Sequence, residues 1–345
     1  MTQQRPRIAL TLGDVAGIGP EVVARSLEDP RLLQICRPII VGHPDVIRRA
    51  QRLIGSTVSL VLIPNLRSVD WNSTSIPVWN PSQAKVTEVP DGQIDARAGQ
   101  GAYDYLVAAT RAALHGEIDA ITTAPLNKAA LHAAGLNFPG HTEILAQECG
   151  VAEFAMMLYL PPGGAISGAS GLGVAHVTLH TSIRSVPGLL SIPRIQETIQ
   201  LVAHFLQRIG CPSPRVGVTA LNPHAGEQGL FGDEEATLIS PAVTAARQAG
   251  INAIGPIPAD ALLRRAVHGE FDGVVAMYHD QGHIALKLIG FERAVNVTLG
   301  LPIIRTSPSH GTAFDIAWQG KARSDGFVEA VRTAAQLFQY QPKTA

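Results

Sequence analysis

The sequence has few cysteines, almost no net charge and no long apolar run. Cys36, Cys149 and Cys211 form no CxxC pair, which argues against a disulfide framework or a cysteine zinc site. Lysine and arginine number 27 against 28 acidic residues, so no overall field would attract nucleic acid or an anionic membrane. No apolar run approaches the roughly 18 residues of a membrane span, and the amino terminus shows no signal-peptide pattern. We therefore expect a soluble, cytoplasmic protein that binds any anionic ligand through local groups.

Short apolar runs alternate with helical patterns along nearly all of the 345 residues. Predicted strands cover residues 8–12, 38–41, 58–62, 118–122, 174–179, 216–221, 273–277 and 295–299. Predicted helices cover residues 20–27, 102–115, 192–209, 234–249 and 260–268. This alternation predicts an α/β fold with parallel or mixed sheets covered by helices, and the length suits two domains. Residues 65–95 and 161–173 read as loops rather than linkers, so we expect the two domains to be interleaved.

The segment from residue 277 to residue 315 holds the densest set of chemically capable side chains. Its polar groups lie between the apolar runs 284–288 and 297–304, which predicts that they stand at the ends of buried strands. Lys287 lies inside the first run, and a buried lysine needs a partner or a shifted pKa. Arg305 follows the second run, where an arginine commonly binds a carboxylate or a phosphate through two hydrogen bonds. A structural ion pair is the alternative for Arg305.

Three of the twelve histidines share a position relative to the predicted strands. His180, His224 and His279 each lie at or just after a strand's carboxyl end, where ligands collect in open α/β sheets. Imidazoles from three strand ends could bind one divalent metal ion and leave positions open for substrate oxygens. Their spacing matches no specific motif, so three separately hydrogen-bonded histidines remain the alternative.

A glycine-rich turn follows the first predicted strand. Gly13, Gly17 and Gly19 precede Pro20, which suits the start of a helix because it has no backbone N–H to leave unpaired. The spacing matches neither the dinucleotide fingerprint nor the Walker loop. A purely structural turn and a ligand-binding turn therefore both stay open.

His141 and Thr142 stand at the predicted start of another helix. Backbone N–H groups at a helix amino end favour anions, so both side chains could contact a bound anion there. The alternative is that Thr142 caps the helix and His141 lies on the surface. Lys128 could reach a phosphate as well, although a solvated helix lysine is the commoner case.

Seven motifs occur in the order and approximate spacing of one protein family: GDVAGIGPE, TAPLNKAAL, GHTE, LNPHAGE, YHDQGH, VNVTLGLPIIRTS and HGTAFDIA. Together they resemble the 4-hydroxythreonine-4-phosphate dehydrogenase family, including its 4-phosphothreonate and 4-phosphoerythronate dehydrogenase branch. The resemblance covers nearly the whole chain. It implies a fold like that of isocitrate and isopropylmalate dehydrogenases, with two interleaved α/β/α domains, a cleft between them and a homodimer with shared active sites. We assign residues 1–135 and 290–345 to the nucleotide-side domain, and residues 136–289 to the metal, substrate and dimerisation domain.

The resemblance also implies roles for individual residues. His180, His224 and His279 would bind one divalent cation (Zn²⁺, Mg²⁺, Co²⁺ or Mn²⁺), with one histidine supplied by the partner subunit. The phosphorylated substrate would contact His141, Thr142, Lys287, Asn296 and Arg305. The loop containing His310, Gly311, Thr312 and Asp315 would meet the adenosine part of NAD, or of NADP in its place. The chain has Val15, Ser309 and Trp318 where the family often has proline, aspartate and glycine, and Trp318 bears on the shape of the nucleotide loop.

These expectations predict the NAD-dependent and metal-dependent oxidation, with decarboxylation, of a 4-phosphorylated four-carbon 3-hydroxy acid. The substrates that fit are 4-hydroxythreonine 4-phosphate, from pyridoxine biosynthesis, and 4-phospho-threonate or 4-phospho-erythronate, from sugar-acid catabolism. A divalent ion would acidify the C3 hydroxyl group and stabilise the charge that develops as carbon dioxide leaves. Lys287 is the expected proton-transfer group, and Asp260 and Asp280 are expected to orient histidines or neighbouring groups.

Three other functions fit parts of the sequence. A phosphate acyltransferase shares the two-domain outline but has no need of three histidines at strand ends. An aromatic cis-dihydrodiol dicarboxylate dehydrogenase of the same broader family would not need the phosphate-binding set of Lys287, Asn296 and Arg305. A non-catalytic sugar-phosphate-binding module would bind the ligand without reducing NAD.

Overall fold

The computed structural model describes residues 5–340, and within that range the chain forms twelve β-strands. They are β1 (Arg7–Thr11), β2 (Arg37–Val41), β3 (Leu60–Ile63), β4 (Ile76–Trp79), β5 (Ala120–Thr123), β6 (Ala155–Leu160), β7 (Leu172–His176), β8 (Val216–Thr219), β9 (Ala253–Ile257), β10 (Gly273–Ala276), β11 (Val295–Leu299) and β12 (Ile304–Pro308). All eight strands predicted from the sequence are present, with their ends shifted by three residues at most.

Twelve α-helices accompany these strands in the same part of the chain. They are α1 (Gly19–Ser26), α2 (Leu32–Ile35), α3 (Pro44–Ile54), α4 (Ala96–Leu114), α5 (Lys128–Ala133), α6 (His141–Cys149), α7 (Val186–Leu189), α8 (Ile192–Arg208), α9 (Ser240–Gln248), α10 (Ala259–Val267), α11 (His279–Gly290) and α12 (Asp325–Gln339). A π-helical turn, Glu235–Ile239, leads directly into α9. Among residues 5–340, every helix is too short or too polar to span a lipid bilayer.

The chain forms two compact units and passes from the first to the second and back again. The first unit comprises residues 5–153 and 301–339, and the second comprises residues 154–300 with Tyr340. The boundaries predicted from the sequence lay at residues 135 and 290, whereas the observed division falls near residues 153 and 300. Helix α6 packs against α4 inside the first unit. The α/β class and the interleaved order of the chain agree with the sequence-based expectation.

The first unit is built on parallel strands in the order β3-β4-β2-β1-β5-β12. Helices α4 and α12 pack on its central strands. The continuous apolar runs of β1 and β2 are buried, as expected for a parallel sheet that helices cover. Because parallel strands all point the same way, the segments that follow β1 and β5 emerge at one edge of this sheet.

The second unit contains a mixed sheet in the order β11-β6-β7-β10-β8-β9. Strands β11, β6 and β7 pair antiparallel. Strands β7, β10, β8 and β9 pair parallel. Leu172, Val174, Phe271, Val274 and Leu286 belong to the core that these strands and α11 bury. The carboxyl ends of β7, β10 and β8, each followed by a predicted histidine, therefore lie side by side.

The apolar run at residues 284–288 was predicted to be a buried strand, and this prediction is wrong. The run lies in helix α11, where Leu286 is buried while Ile284, Lys287 and Leu288 are exposed. A run of five residues cannot distinguish a strand from one face of a helix by apolar content alone. The loop predicted over residues 65–95 likewise contains strand β4, whose four residues are too few for an alternating pattern to show.

The turn between β1 and α1 is buried against the segment that follows β5. Gly13 has a φ of +64°, and a Cβ atom on it would lie 2.2 Å from the carbonyl oxygen of Pro125. The same oxygen accepts a 2.9 Å hydrogen bond from the backbone N–H of Asp14. Backbone therefore occupies the space that any side chain at position 13 would need.

We predict that Gly13→Ala lowers the free energy of unfolding by several kcal/mol. The substitution combines an unfavourable left-handed backbone, at about 1–2 kcal/mol, with a clash against backbone that must shift. Gly116→Ala is the matched control, because Gly116 has a φ of +69° but open space around its Cβ position. Chemical denaturation of both variants measures the difference. Equal losses of unfolding free energy would contradict the prediction, because they would show that the backbone around Gly13 can shift to accommodate a methyl group.

Asp14 is a fully buried carboxylate in this turn. Its Oδ1 accepts a 2.9 Å hydrogen bond from the backbone N–H of Ala16, while its Oδ2 has no hydrogen-bond partner among the described residues. Burial raises the pKa of Asp14 to about 6; the Ala16 hydrogen bond opposes this effect and Asp95 adds to it. The ionised form of Asp14 thus costs folding free energy at neutral pH.

We predict that Asp14→Asn stabilises the protein at pH 8 and changes its stability little at pH 4. The folded-state pKa lies above the unfolded value of 3.8, so the destabilising effect of Asp14 develops as the pH rises from about 4 and is complete above about 6. Asparagine keeps an acceptor for Ala16, and the expected gain at pH 8 is about 1–3 kcal/mol. Denaturant unfolding at pH 4, 6 and 8 measures it, with Asp29→Asn, which removes a carboxylate paired with Arg31, as the control. A loss of stability at pH 8 in Asp14→Asn would contradict the prediction.

Candidate functional site

Arg305 is a buried cation near the start of β12, with 2% of its surface exposed. Its Nη2 donates a 2.7 Å hydrogen bond to Oγ1 of Thr123, the last residue of β5. Burial lowers the pKa of Arg305 to about 9 while the nearby Glu143 acts in the opposite direction, so the guanidinium stays charged at neutral pH. A buried guanidinium that keeps its charge attracts anionic groups, which makes its surroundings suitable for an anionic ligand.

The amino end of α6 lies close to this guanidinium. His141 is the first residue of α6, and its ring hydrogen-bonds the backbone of Ala124. Burial, and then the charge of Arg305, lower the pKa of His141 well below its usual range. His141 is therefore neutral at pH 7, and because its single ring N–H donates to the Ala124 carbonyl, its other ring nitrogen can only accept a hydrogen bond.

Gly140, rather than Thr142, caps this helix, and no side chain accepts from its first N–H groups. The alternative that Thr142 serves as the cap is therefore wrong, and Thr142 lies inside the first turn. Lys128 begins α5, and its Cε lies 3.8 Å from the position that a Cβ atom on Gly140 would take. Arg305 and Lys128 thus both lie near the amino end of α6, together with the carboxylate of Glu143, whose Oε2 lies 3.6 Å from the same Cβ position.

The predicted nucleotide loop packs directly on the glycine turn of the first unit. The backbone N–H of Ile18 donates a 3.0 Å hydrogen bond to the carbonyl oxygen of Thr312. A Cβ atom on Gly17 would lie 2.9 Å from the Cβ of Thr312, so only glycine permits this approach. The structure therefore brings together the turn and the loop that the sequence indicated separately.

Two residues of this loop have the properties of a ligand-binding segment. His310 Nε2 is buried without a hydrogen-bond partner in the described part of the chain, and burial lowers the pKa of His310. Gly311 faces open space, and Asp315 is exposed. A buried ring nitrogen beside an open glycine fits a polar ligand such as a nucleotide.

Trp318 fixes the end of the same loop. It is 9% exposed, has a φ of +58°, and its Nε1 donates a 2.9 Å hydrogen bond to the carbonyl oxygen of Val15. The guanidinium of Arg49 lies 4.0 Å from the indole ring centroid and pairs with Asp91. The left-handed backbone explains why glycine suits this position, and the indole contacts offset the strain that tryptophan brings.

In the second unit, His180 and His279 line a cavity of about 460 Å³. His279 begins α11 just after β10, and His180 follows β7, so both emerge from adjacent parallel strands. Their ring centroids are 5.8 Å apart. The structure therefore brings two of the three predicted metal ligands together.

Asp280 orients His279 for a ligand role. Its Oδ1 lies 2.7 Å from Nδ1 of His279, and a carboxylate can only accept this hydrogen bond from a protonated Nδ1. In the neutral ring, Nε2 then keeps the lone pair that a metal ion needs. Asp260, the other predicted orienting carboxylate, is exposed in the first turn of α10.

His224 lies on the segment Pro223–Gly229, after β8, and its side chain is 75% exposed. The φ angles of His224, Ala225, Glu227 and Gln228 lie between 44° and 58°, a left-handed stretch that costs free energy in non-glycine residues. The ring of His224 contacts Phe231. Across residues 5–340, no three His, Cys, Asp or Glu side chains are placed to share one metal ion. One chain therefore brings His180 and His279 together, whereas its own His224 does not join them.

Several supporting residues were missed by the sequence analysis. Gln281 accepts hydrogen bonds from Thr219 Oγ1 and from the Met277 N–H, both 2.7 Å, and so ties the ends of β8 and β10 together. The buried carboxylate of Glu235 accepts from the backbone N–H groups of Leu221 and Asn222, just before His224. Gln281 lies beside a predicted histidine in YHDQGH, which was the only signal the sequence offered, whereas Glu235 lies outside LNPHAGE and gave none.

Two histidines were also missed, because neither ends a predicted strand in an obvious way. His176, the last residue of β7, and His283, in α11, are both buried. Burial lowers the pKa of His176 to about 4, and burial, followed by the repulsion that His176 would exert if it were protonated, lowers that of His283 to about 2. Both rings are neutral at physiological pH.

Lys287 and Asn296 are the remaining predicted site residues. Lys287 is exposed on α11, with Nζ 5.9 Å from the ring centroid of Phe291, so the prediction that it is buried is wrong. Its charge nevertheless acts on His283, which stands one turn earlier on the same helix face. Asn296, on β11, donates a 3.4 Å hydrogen bond to Sδ of Met156, and its Oδ1 is buried without a partner in residues 5–340.

The chain is similar in sequence to curated dehydrogenases over nearly its full length. A 4-hydroxythreonine-4-phosphate dehydrogenase of Geobacter metallireducens is 42% identical over 337 residues, covering 98% of this chain and 97% of that protein. A D-threonate 4-phosphate dehydrogenase of Salmonella typhimurium is 43% identical over 331 residues, covering 96% of this chain and 98% of that protein.

Solved structures show the same relationship. The crystal structure of a 4-hydroxythreonine-4-phosphate dehydrogenase from Klebsiella pneumoniae matches with a TM-score of 0.85 at 41% identity, covering 98% of this chain and all of that one. A β-decarboxylating dehydrogenase from Thermococcus kodakarensis matches with a TM-score of 0.54 at 14% identity, which shows a shared fold and nothing more. The fold expected from the sequence is thus confirmed.

The family expected from the seven motifs is confirmed as well. The family model described as pyridoxal phosphate biosynthetic protein PdxA matches residues 34–334. Since this match and the full-length relatives agree, the chain belongs to the PdxA family.

Proposed function

We propose that this enzyme oxidises a 4-phosphorylated four-carbon 3-hydroxy acid with NAD and a divalent metal ion, and that the oxidised product loses carbon dioxide. The observation that carries the proposal is the buried, charged Arg305 beside neutral His141 and the amino end of α6. 4-Hydroxythreonine 4-phosphate and 4-phospho-threonate or 4-phospho-erythronate belong to this substrate class. Relatives named for the first substrate and for D-threonate 4-phosphate are about equally similar to the chain, so we propose the class.

The phosphate group would bind where Arg305, Lys128 and the α6 amino end converge. Arg305 is held by Thr123, and His141 by the backbone of Ala124, so the cation and the ring are both fixed to the end of β5. Thr142 lies in the same first turn and adds a hydroxyl group. The donors here are the guanidinium, the hydroxyl group and the N–H groups of the first turn of α6, whereas the free ring nitrogen of His141 can only accept. Fixed donors of this kind bind a dianion without having to be ordered first, which favours phosphate over a smaller charge.

The metal ion would be held by His180, His224 and His279, and the adenosine part of NAD by the loop of His310, Gly311, Thr312 and Asp315. When bound, the ion would acidify the hydroxyl group being oxidised, and NAD would accept the hydride. The donor set suits such an ion: His279 presents the lone pair of Nε2 because its Nδ1–H donates a hydrogen bond to Asp280, and His180 lines the same cavity. His224 is exposed and apart from this pair, so we propose that it serves the site of a partner subunit.

Proton transfer falls to Lys287 in this proposal. It stands on the same face of α11 as His279 and His283, two turns after His279. Asn296 would contact the substrate through its buried Oδ1, and Asp260 would orient a neighbouring group. The shared edge of β7 and β10 supports a common location for His180, His279 and the α11 residues.

We predict that Arg305→Ala lowers kcat/KM for the phosphorylated acid by about 10- to 150-fold, the effect of losing one charge-assisted contact. The loss should be much smaller for the unphosphorylated acid. NADH formation with 4-hydroxythreonine 4-phosphate and 4-phosphothreonate, each beside its unphosphorylated form, measures both. Arg7→Ala is the matched control, because Arg7 pairs with Asp119 in the same unit and should affect stability only. Equal wild-type turnover with and without the phosphate would reject the proposal and favour an aromatic diol substrate, as in the 31% identical terephthalate 1,2-cis-dihydrodiol dehydrogenase from Burkholderia xenovorans.

We also predict that subunit mixing restores activity for one pair of inactive variants and not for another. His224→Ala mixed with His279→Ala should regenerate intact sites, because His180 and His279 come from one chain and His224 from its partner. His180→Ala mixed with His279→Ala should stay inactive, since no single chain then offers both residues. NADH formation after denaturant-assisted exchange measures this, with mixed oligomers confirmed by differently tagged chains. Recovery in the second mixture alone would overturn the assignment of ligands to chains.

A further inference from the structure

His176 and His283 form a buried hydrogen-bonded pair behind the cavity of the second unit. His176 is 0% exposed and His283 is 6% exposed, and Nδ1 of His283 lies 3.1 Å from Nε2 of His176. Gly282 permits this contact, because a Cβ atom there would lie 2.6 Å from Nε2 of His176. Any side chain at position 282 would therefore separate the two rings.

The backbone sets the direction of hydrogen bonding through this pair. The carbonyl oxygen of Met156, on β6, can only accept, and it lies 3.4 Å from Nδ1 of His176. His176 therefore donates from Nδ1 and accepts at Nε2, which requires His283 to donate from its own Nδ1. One tautomer of each ring satisfies the chain from Met156 to His283.

His283, held in place by His176, stacks on the ring of His279. The two rings stand one turn apart on α11, with centroids 3.8 Å apart and planes inclined by only 12°. His279 is also held at its edge by Asp280, 2.7 Å from Nδ1. One face and one edge of the His279 ring are thus constrained, which together define its rotation about both side-chain bonds.

We propose that His176 and His283 are positioning residues that fix the His279 ring in its metal-binding orientation before any ion arrives. The inference rests on the proposed function, in which His279 is a ligand. Burying two polar rings in a core is unfavourable, because each ring loses hydrogen bonds to water that an apolar side chain does not make. Val174, which packs at the same place, shows that an apolar residue is compatible with this part of β7. The pair supplies what an apolar residue cannot: hydrogen bonds that fix the ring of His283, against which His279 stacks.

Two measurements on the same variants test the pair. The variants are His176→Leu and His283→Leu, which break the chain, and His283→Asn, which keeps a donor near the Nδ1 position. Val174→Ala is the control for loss of core packing without loss of hydrogen bonds. Binding of Co²⁺ to the metal-free protein is followed by calorimetry, and the His279 ring is followed by NMR of histidine-labelled protein, with its signals assigned by their loss in His279→Ala.

Both leucine variants should weaken Co²⁺ binding by about 10- to 100-fold, the usual effect of losing a group that orients a ligand. In the same variants, the His279 ring should change from one fixed orientation to an exchanging mixture, seen as shifted and broadened ring signals. His283→Asn should recover part of the affinity, and Val174→Ala should keep wild-type affinity despite a lower Tm. Wild-type affinity and wild-type His279 signals in both leucine variants would overturn the inference. If His279→Ala itself leaves Co²⁺ binding unchanged, the proposed metal site fails, and the ring signals alone then decide whether the pair positions His279.

Discussion

Parallel strand pairing is the constraint on which the rest of this structure depends. In the first unit it places the ends of β1 and β5 side by side, next to β12, so the glycine turn, Ala124 and Arg305 come close. In the second unit it aligns the ends of β7, β10 and β8, from which His180, His279 and His224 follow. Parallel pairing requires a crossover after each strand, and these crossovers carry the polar groups.

Burial decides the charge of the groups that gather there. Arg305 stays cationic while burial holds His141, His176 and His283 neutral, so the first unit offers a positive charge and the second offers lone pairs. The same burial makes the ionised Asp14 unfavourable in the turn after β1. Burial of these residues lowers the stability of the fold or limits which neighbours can surround them, but it also fixes the charge of each group, as is common at functional sites.

Many residues of the candidate site could be identified from the sequence, but the burial and the contacts of some residues could not. Apolar runs that begin or end strands identified His180, His279 and Arg305, because strand ends can be read from a local pattern. Lys287 was expected in a buried strand, whereas a run of five apolar residues fits one side of a helix equally well, and α11 exposes it. His176 and His283 escaped notice because their meaning lies in a contact between residues 107 positions apart, which no local spacing encodes.

The sequence by itself determined the alternation of strands and helices, the glycine at position 13 and the family to which the chain belongs. These depend on local periodicity, on backbone angles that only glycine adopts easily, and on motifs in a fixed order. Only the tertiary structure decided that Trp318 caps the turn at Val15, that Asp280 rather than Asp260 holds His279, and that His224 stands apart from His180 and His279. Trp318 and Val15 lie far apart in the sequence, as do His224 and the other two histidines, and such distances are set by how strands pair and helices pack. The contact between the neighbouring residues His279 and Asp280 depends on the side-chain geometry at the start of α11, which the sequence does not show.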